Sequence, residues 1–264
     1  MPWIEANGVS LRYELSGSGQ DTLVLVHEAG GCLESYEEAV PGFEKDFRVL
    51  RYDQRGFGFS EKASELTFEG VVADLAALLD ALHITSSIYL AGCAMGADFA
   101  VGFASRHPKR VAKLAIASPN IDHNGPRSAS SVERGLQAER EGIRAVMASS
   151  HDRSYQEHLR APDRARFARY QARWVCNTPA SFTAQARMMA MNDLTPDYAK
   201  IEAPTLVIGA KDDTLRPPEK AERVAKALKN STYVLANTGH FMALQTPQLF
   251  VDTLLPFFKG ESYH

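Results

Sequence analysis

Six short apolar runs, each closed by a turn and followed by helical periodicity, constrain this chain more than anything else in it. Leu23–Val26, Phe47–Tyr52, Ser87–Ala91, Val111–Ala117, Thr205–Gly209 and Thr232–Ala236 are too short and too apolar to be amphipathic helices. Such runs suit strands buried on both faces. Between them, Thr67–Leu82, Ala97–Arg106, Pro217–Leu228 and Pro247–Phe258 carry apolar residues at helical spacing. Strand and helix in alternation, joined by short connections, predict a mostly parallel sheet with helices on both faces. Trp3–Glu5 and Val9–Leu15 flank Asn7-Gly8, a hairpin signal at the start of the chain.

The alternation stops at Ser118-Pro119. From 122 to 197 there is no strand signal, only Arg, Ala and Glu at helical spacing, interrupted at Pro162, Pro179 and Pro196. The expected division is therefore 1–121 for the first part of an α/β core, 122–197 for a helical cap, and 198–264 for the rest of the core. With 264 residues, of which 45 % are hydrophobic, a core of this kind is buildable without disulfides or metals.

Charge and composition narrow the function. Lys plus Arg is 29 against 32 Asp plus Glu, and no long basic run is present, which argues against nucleic acid as a partner. No run of about 18 apolar residues exists, so no membrane span is expected. Met1-Pro2-Trp3-Ile4-Glu5 lacks a basic region followed by an apolar run, which argues against a secretory leader. Cys32, Cys93 and Cys176 are an odd count without metal-site spacing, and a reducing cytoplasm is the expected setting.

Four landmarks occur in order along the chain: Val26-His27-x-x-Gly30, Asp53-x-Arg55-Gly56-x-Gly58-x-Ser60, Gly92-x-Ala94-x-Gly96, and Gly209-x-x-Asp212 with Gly239-His240. Together they resemble the α/β-hydrolases of the small, cap-bearing type, closest in pattern to the 3-oxoadipate enol-lactone hydrolases of aromatic-acid breakdown. The resemblance implies an α/β-hydrolase fold with an eight-stranded, mostly parallel sheet. It also implies an enzyme that acts on a small molecule, and since no phosphate-loop pattern and no metal-ligand spacing occurs in the sequence, neither cofactor nor metal is expected. A homodimer is left open.

The resemblance further implies roles for particular residues. The nucleophile of this fold sits on a strained strand-to-helix turn, G-x-S-x-G, and here Ala94 stands where the serine would be. His240 is then the general base and Asp212 the acid that orients it, preferred over its neighbour Asp213 on spacing from the strand, with Asp122 as the fallback. The backbone N–H of Met95 and one from Glu28 or Ala29 are the oxyanion donors. Glu28 replaces the usual glycine of that loop, so its carboxylate either meets a substrate group, acts as a second acid or base, or turns to solvent. Cys93, Trp174, Met191 and Phe241 are expected at the substrate, and Arg173 or Arg187 is a candidate clamp for a substrate carboxylate.

Three readings of Ala94 stay open. It is a serine replaced to trap a substrate, or a natural loss, or a sign that Cys93 attacks instead. Under natural loss, His240 deprotonates a water for direct hydrolysis of an ester, lactone, or related acyl or C–C bond. The same base would serve a lyase, decarboxylase or cofactor-free oxygenase, and a non-catalytic ligand-binding protein is the remaining alternative.

Overall fold

The computed structural model describes residues 2–121 and 126–261. Its centre is one sheet of eight strands: β1 (Trp3–Ala6), β2 (Val9–Ser16), β3 (Asp21–Val26), β4 (Phe47–Tyr52), β5 (Ile88–Cys93), β6 (Val111–Ala117), β7 (Thr205–Ala210) and β8 (Ser231–Ala236). The order across the sheet is β1-β2-β4-β3-β5-β6-β7-β8. β1 and β2 form the hairpin, with Asn7 and Gly8 both at positive φ as a tight turn between twisted strands requires. β2 meets β4 antiparallel, and from β4 to β8 every pairing is parallel.

Period-two alternation divides the buried side chains between two layers. Val24, Val26, Leu90, Leu114, Ile116 and Val207 face one way. They are covered by α1 (Phe68–Ala81), α2 (Met95–Arg106) and, after the insertion, α9 (Pro218–Ala227). Leu23, Leu25, Ala91, Cys93, Ala115, Leu206 and Ile208 face the other way, towards Tyr36, Phe43 and α11 (Pro247–Lys259). α1 starts where the sequence places it, because the Thr67 hydroxyl accepts the Gly70 N–H at 3.1 Å.

Between β6 and β7 the described residues are mostly helical. They run through α3 (Pro126–Glu141), α4 (Ile143–Ser154), α5 (Glu157–Arg160), α6 (Arg164–Val175), α7 (Pro179–Met191) and α8 (Thr195–Tyr198). Each flagged proline falls where a helix tolerates it. Pro179 opens α7, Pro196 sits in the first turn of α8, and Pro162 lies in a 3₁₀ turn before α6. A third apolar cluster joins this stretch to the core: Ile143, Val146, Tyr155, Phe167, Tyr170, Trp174 and Phe182 pack with Ala94, Phe241 and Leu244. α10 (Met242–Gln245) carries Leu244. The sheet and its flanking helices are the expected ones, and the inserted helices pack over Ala94, just past the carboxyl end of β5, the side of open α/β sheets where ligands bind. No described helix is long and apolar enough to cross a membrane.

Candidate active site

The turn from β5 into α2 is strained. Ala94 has φ 54° and ψ −117°, a region that costs an alanine about 1–3 kcal/mol and persists only where surrounding structure imposes it. The imposing contacts are the flanking glycines. A Cβ on Gly92 would lie 2.2 Å from the Gly96 carbonyl oxygen, and one on Gly96 would lie 2.0 Å from that of Val26. The turn is also pinned by the Ala94 N–H donating to the Ala117 carbonyl at 2.9 Å. The elbow is therefore built as the resemblance implies, with a methyl at its apex facing a cavity of about 350 Å³.

His240 faces the same cavity. Its Nδ1 lies 2.7 Å from Asp213 Oδ2, and the Asp213 side chain is fully buried. This corrects the expectation for Asp212. Asp212 turns outward, 3.0 Å from His158 Nε2, and its backbone carbonyl accepts from Gln156. β7 runs one residue further than the apolar run suggests, to Ala210, and Asp213 N–H then closes a turn onto the Ala210 carbonyl, aiming its side chain inward. Asp213 Oδ1 accepts the N–H groups of Leu215 and Arg216, both at 2.8 Å. Burial alone would raise the Asp213 carboxyl, but His240 and the Arg216 N–H outweigh it and hold the acid below its ordinary range. Asp122 lies outside the described residues.

Cys93 does not reach the cavity. It is the last residue of β5 and packs in the layer opposite Ala94, with its Sγ donating to the His240 carbonyl at 3.4 Å. Burial pushes its thiol up to about 12. A one-residue step on this turn puts the two side chains on opposite sides of the sheet, which removes Cys93 as a nucleophile and as a substrate contact.

In the loop after β3, Ala29 lines the cavity and Glu28 does not. The Glu28 side chain is buried beneath the loop, where its Oε1 accepts from Ser35 Oγ at 2.8 Å. Desolvation raises its carboxyl to about 7, against smaller opposing effects of its own backbone, Ser35 and Arg173. The expected contact of Glu28 with substrate is thus overturned. The loop itself is held from below: Gln54 N–H donates to His27 Nε2, Gln54 Nε2 to the His27 carbonyl, and Asp53 accepts from Leu33 and Phe59 N–H. Met95 opens α2, where first-turn N–H groups have no partner within the helix, and it lines the cavity with Ala29. Cys32, Glu34 and Asp53 approach one another closely enough to hold a cation, but Arg12 already pairs with both carboxylates.

The insertion supplies the remaining wall. Tyr170, Trp174 and Phe182 line the cavity with Phe241, Trp174 and Phe182 meeting edge to face at 5.3 Å. Trp174 and Phe241 are where the sequence puts them. Met191 is not: it is 86 % exposed. The cavity residues of α7 are Phe182, Gln185, Ala186, Met189 and Ala190, a stripe that Met191 leaves by one helical step. Arg173 pairs with Glu37 at 2.6 Å and Arg187 is exposed, so neither reaches the cavity. Its described cations are instead Arg134, Arg153, Arg216 and Lys220. Arg216 is the residue sequence reasoning missed altogether, since nothing in its neighbourhood marks it as reaching the elbow.

Comparison with known proteins bears on the fold and the family. An enol-lactonase from Burkholderia xenovorans LB400 superposes with a TM-score of 0.92 at 26 % identity, over 98 % of this chain and 100 % of that one. A thermophilic esterase from Thermogutta terrifontis, with malate bound, shares the fold at a TM-score of 0.93 and 24 % identity, over 98 % and 99 % of the two chains. The 2-hydroxy-6-oxo-6-(2'-aminophenyl)hexa-2,4-dienoic acid hydrolase of Metapseudomonas resinovorans is 25 % identical over 275 residues, spanning 97 % of this chain and 89 % of that one. The family described as serine aminopeptidase, S33 matches residues 17–241, from before β3 to the residue after His240, so the chain belongs to that family of the α/β-hydrolase superfamily.

Proposed function

We propose that this protein is a cofactor-free hydrolase of an ester, lactone or related acyl or C–C bond of a small organic acid. In it, His240 activates a water directly and no covalent acyl-enzyme forms. The observation that carries the reading is the coexistence of an intact, strained elbow bearing only a methyl with an intact His240–Asp213 pair on the same cavity. In this reading the water stands above Ala94, whose methyl occupies less space than a hydroxymethyl. With Nδ1 committed to Asp213, Nε2 is the ring nitrogen left to take that water's proton.

The water oxygen bonds to the substrate carbonyl carbon as its proton moves to His240 Nε2. The resulting oxyanion is met by the N–H groups of Met95 and Ala29. Collapse expels the leaving group, which recovers the proton from His240, and Asp213 stabilises the imidazolium in between. The aromatic wall of Tyr170, Trp174, Phe182 and Phe241 suits an apolar or planar part of the substrate. Relatives named as an enol-lactonase and a dienoic acid hydrolase support the bond type.

The test is turnover of a panel of aryl esters and lactones by the parent and by His240→Ala, with intact-protein mass spectrometry during turnover. Hydrolysis that falls at least about 10³-fold in His240→Ala, without an acyl adduct on the parent, is expected. A parent that binds these compounds but hydrolyses none, or one that accumulates an adduct, overturns the reading.

A further inference from the structure

Arg216 makes a set of contacts that nothing in the proposed chemistry uses. Its Nη1 donates to the carbonyl of Ala94 at 2.9 Å and to that of Ser118 at 2.9 Å. The guanidinium also pairs with Asp98, Nη2 to Oδ2 at 2.6 Å and Nη1 to Oδ1 at 3.1 Å, and the Asp98 side chain is fully buried. Ala94 and Ser118 directly follow the neighbouring strands β5 and β6, and both sit at positive φ, 54° and 50°. One planar group thus holds two adjacent strained strand ends. The backbone of Arg216 is itself fixed by Asp213 Oδ1, the other oxygen of the carboxylate that orients His240.

We propose that Arg216 is a positioning residue that locks the elbow to the acid-bearing loop, keeping position 94 in register with His240. The inference rests on the reading that His240 acts on a water above Ala94. A guanidinium suits the task, because its fixed fork meets two carbonyls and a carboxylate at once. The Ala94 carbonyl already accepts from Ala97 and Asp98 N–H at 3.1 and 3.4 Å as α2 begins, so a shift of this carbonyl tilts the helix start and the Met95 N–H with it. Through one side chain, base, water position and oxyanion donor are tied to a common frame.

The test needs no substrate. Ala94→Cys places a thiol at the elbow, in a Cys176→Ser background that removes the exposed cysteine, and alkylation by iodoacetamide is followed against pH. With Arg216 present, a thiol in register with His240 reacts through a limb below about pH 7, as a His-paired thiolate does. In Arg216→Met this limb falls at least about tenfold and the profile moves towards that of an ordinary thiol near about pH 8.5, while Arg216→Lys lies between. Where Arg216→Met alone fails to fold, Asp98→Leu combined with it removes both charges and carries the same readout. A low-pH limb that survives the loss of Arg216 overturns this inference alone and leaves a merely structural ion pair. Its absence in the protein that retains Arg216 overturns the water-activation reading, and this inference with it.

Discussion

Asp213 grips His240 through one carboxylate oxygen, at 2.7 Å from Nδ1, and the turn that presents it through the other. Its chain neighbour Asp212 faces half-exposed surface and His158. The two aspartates are therefore chemically distinct despite adjacency. Asp213→Asn keeps the shape but removes the charge that stabilises an imidazolium and the acceptor that fixes the ring, and kcat is expected to fall by about 10³ to 10⁴. Asp212→Asn loses only a solvent-screened contact and should stay within about twofold. Steady-state kinetics of the two variants on one ester separate the assignments, and equal losses would refute them.

Restoring a hydroxyl at the elbow tests whether the strained turn retains its capacity for covalent chemistry. Ala94→Ser needs no backbone change, since residue 94 already has φ 54° with glycines on either side at 92 and 96. The new hydroxyl would stand in the cavity that His240 faces. We expect a pre-steady-state burst with an aryl ester and an acyl adduct on Ser-substituted protein, with initial turnover higher by about tenfold or more. Continued direct hydrolysis at the parental rate, with no adduct, would mean that this cavity cannot place a carbonyl over position 94.

Much of the fold is legible in the sequence, and four of the displaced site residues share one origin. β4 and β6 have the bounds that their apolar runs give, and Thr67 caps α1 as its position implies. Local pattern was enough there because burial on both faces leaves an uninterrupted signal. Asp212, Glu28, Cys93 and Met191 were misplaced because each lies one residue from a position that does face the site: Asp213, Ala29, Ala94 and Ala190. A single residue is a 100° turn on a helix and a change of face on a strand. Sequence spacing near a loop does not resolve that step. Arg216 was invisible for another reason, since its partners Ala94, Asp98 and Ser118 are about 100 or more positions away in the chain.

The cysteines should respond to thiol reagents according to depth. Cys176 is exposed, whereas Cys32 and Cys93 are buried. Burial, together with the nearby Glu34 carboxylate, raises the Cys32 thiol far above its ordinary value, and burial lifts that of Cys93 to about 12. One fast-reacting thiol is expected in the folded protein and three after denaturation, with ester turnover unchanged when the fast one is blocked. Loss of turnover in step with modification of Cys93 would restore it as a nucleophile.

Glu28 should leave a pH signature in stability rather than in catalysis. Its carboxyl titrates at 4.5 when exposed and at about 7 in the folded chain, because burial disfavours the anion. Between these values the folded state binds the proton more tightly than the unfolded state does. The associated stability is present in full below about pH 4.5 and is lost progressively as the pH rises to about 7. The loss amounts to about 3 kcal/mol for a group displaced this far. Glu28→Gln keeps an oxygen that can accept from Ser35 Oγ but cannot ionise, so its stability should match the parent near pH 4.5 and exceed it increasingly towards pH 8. Urea unfolding of the two proteins across this range measures the difference directly, and a difference that is constant with pH would show that Glu28 remains ionised throughout.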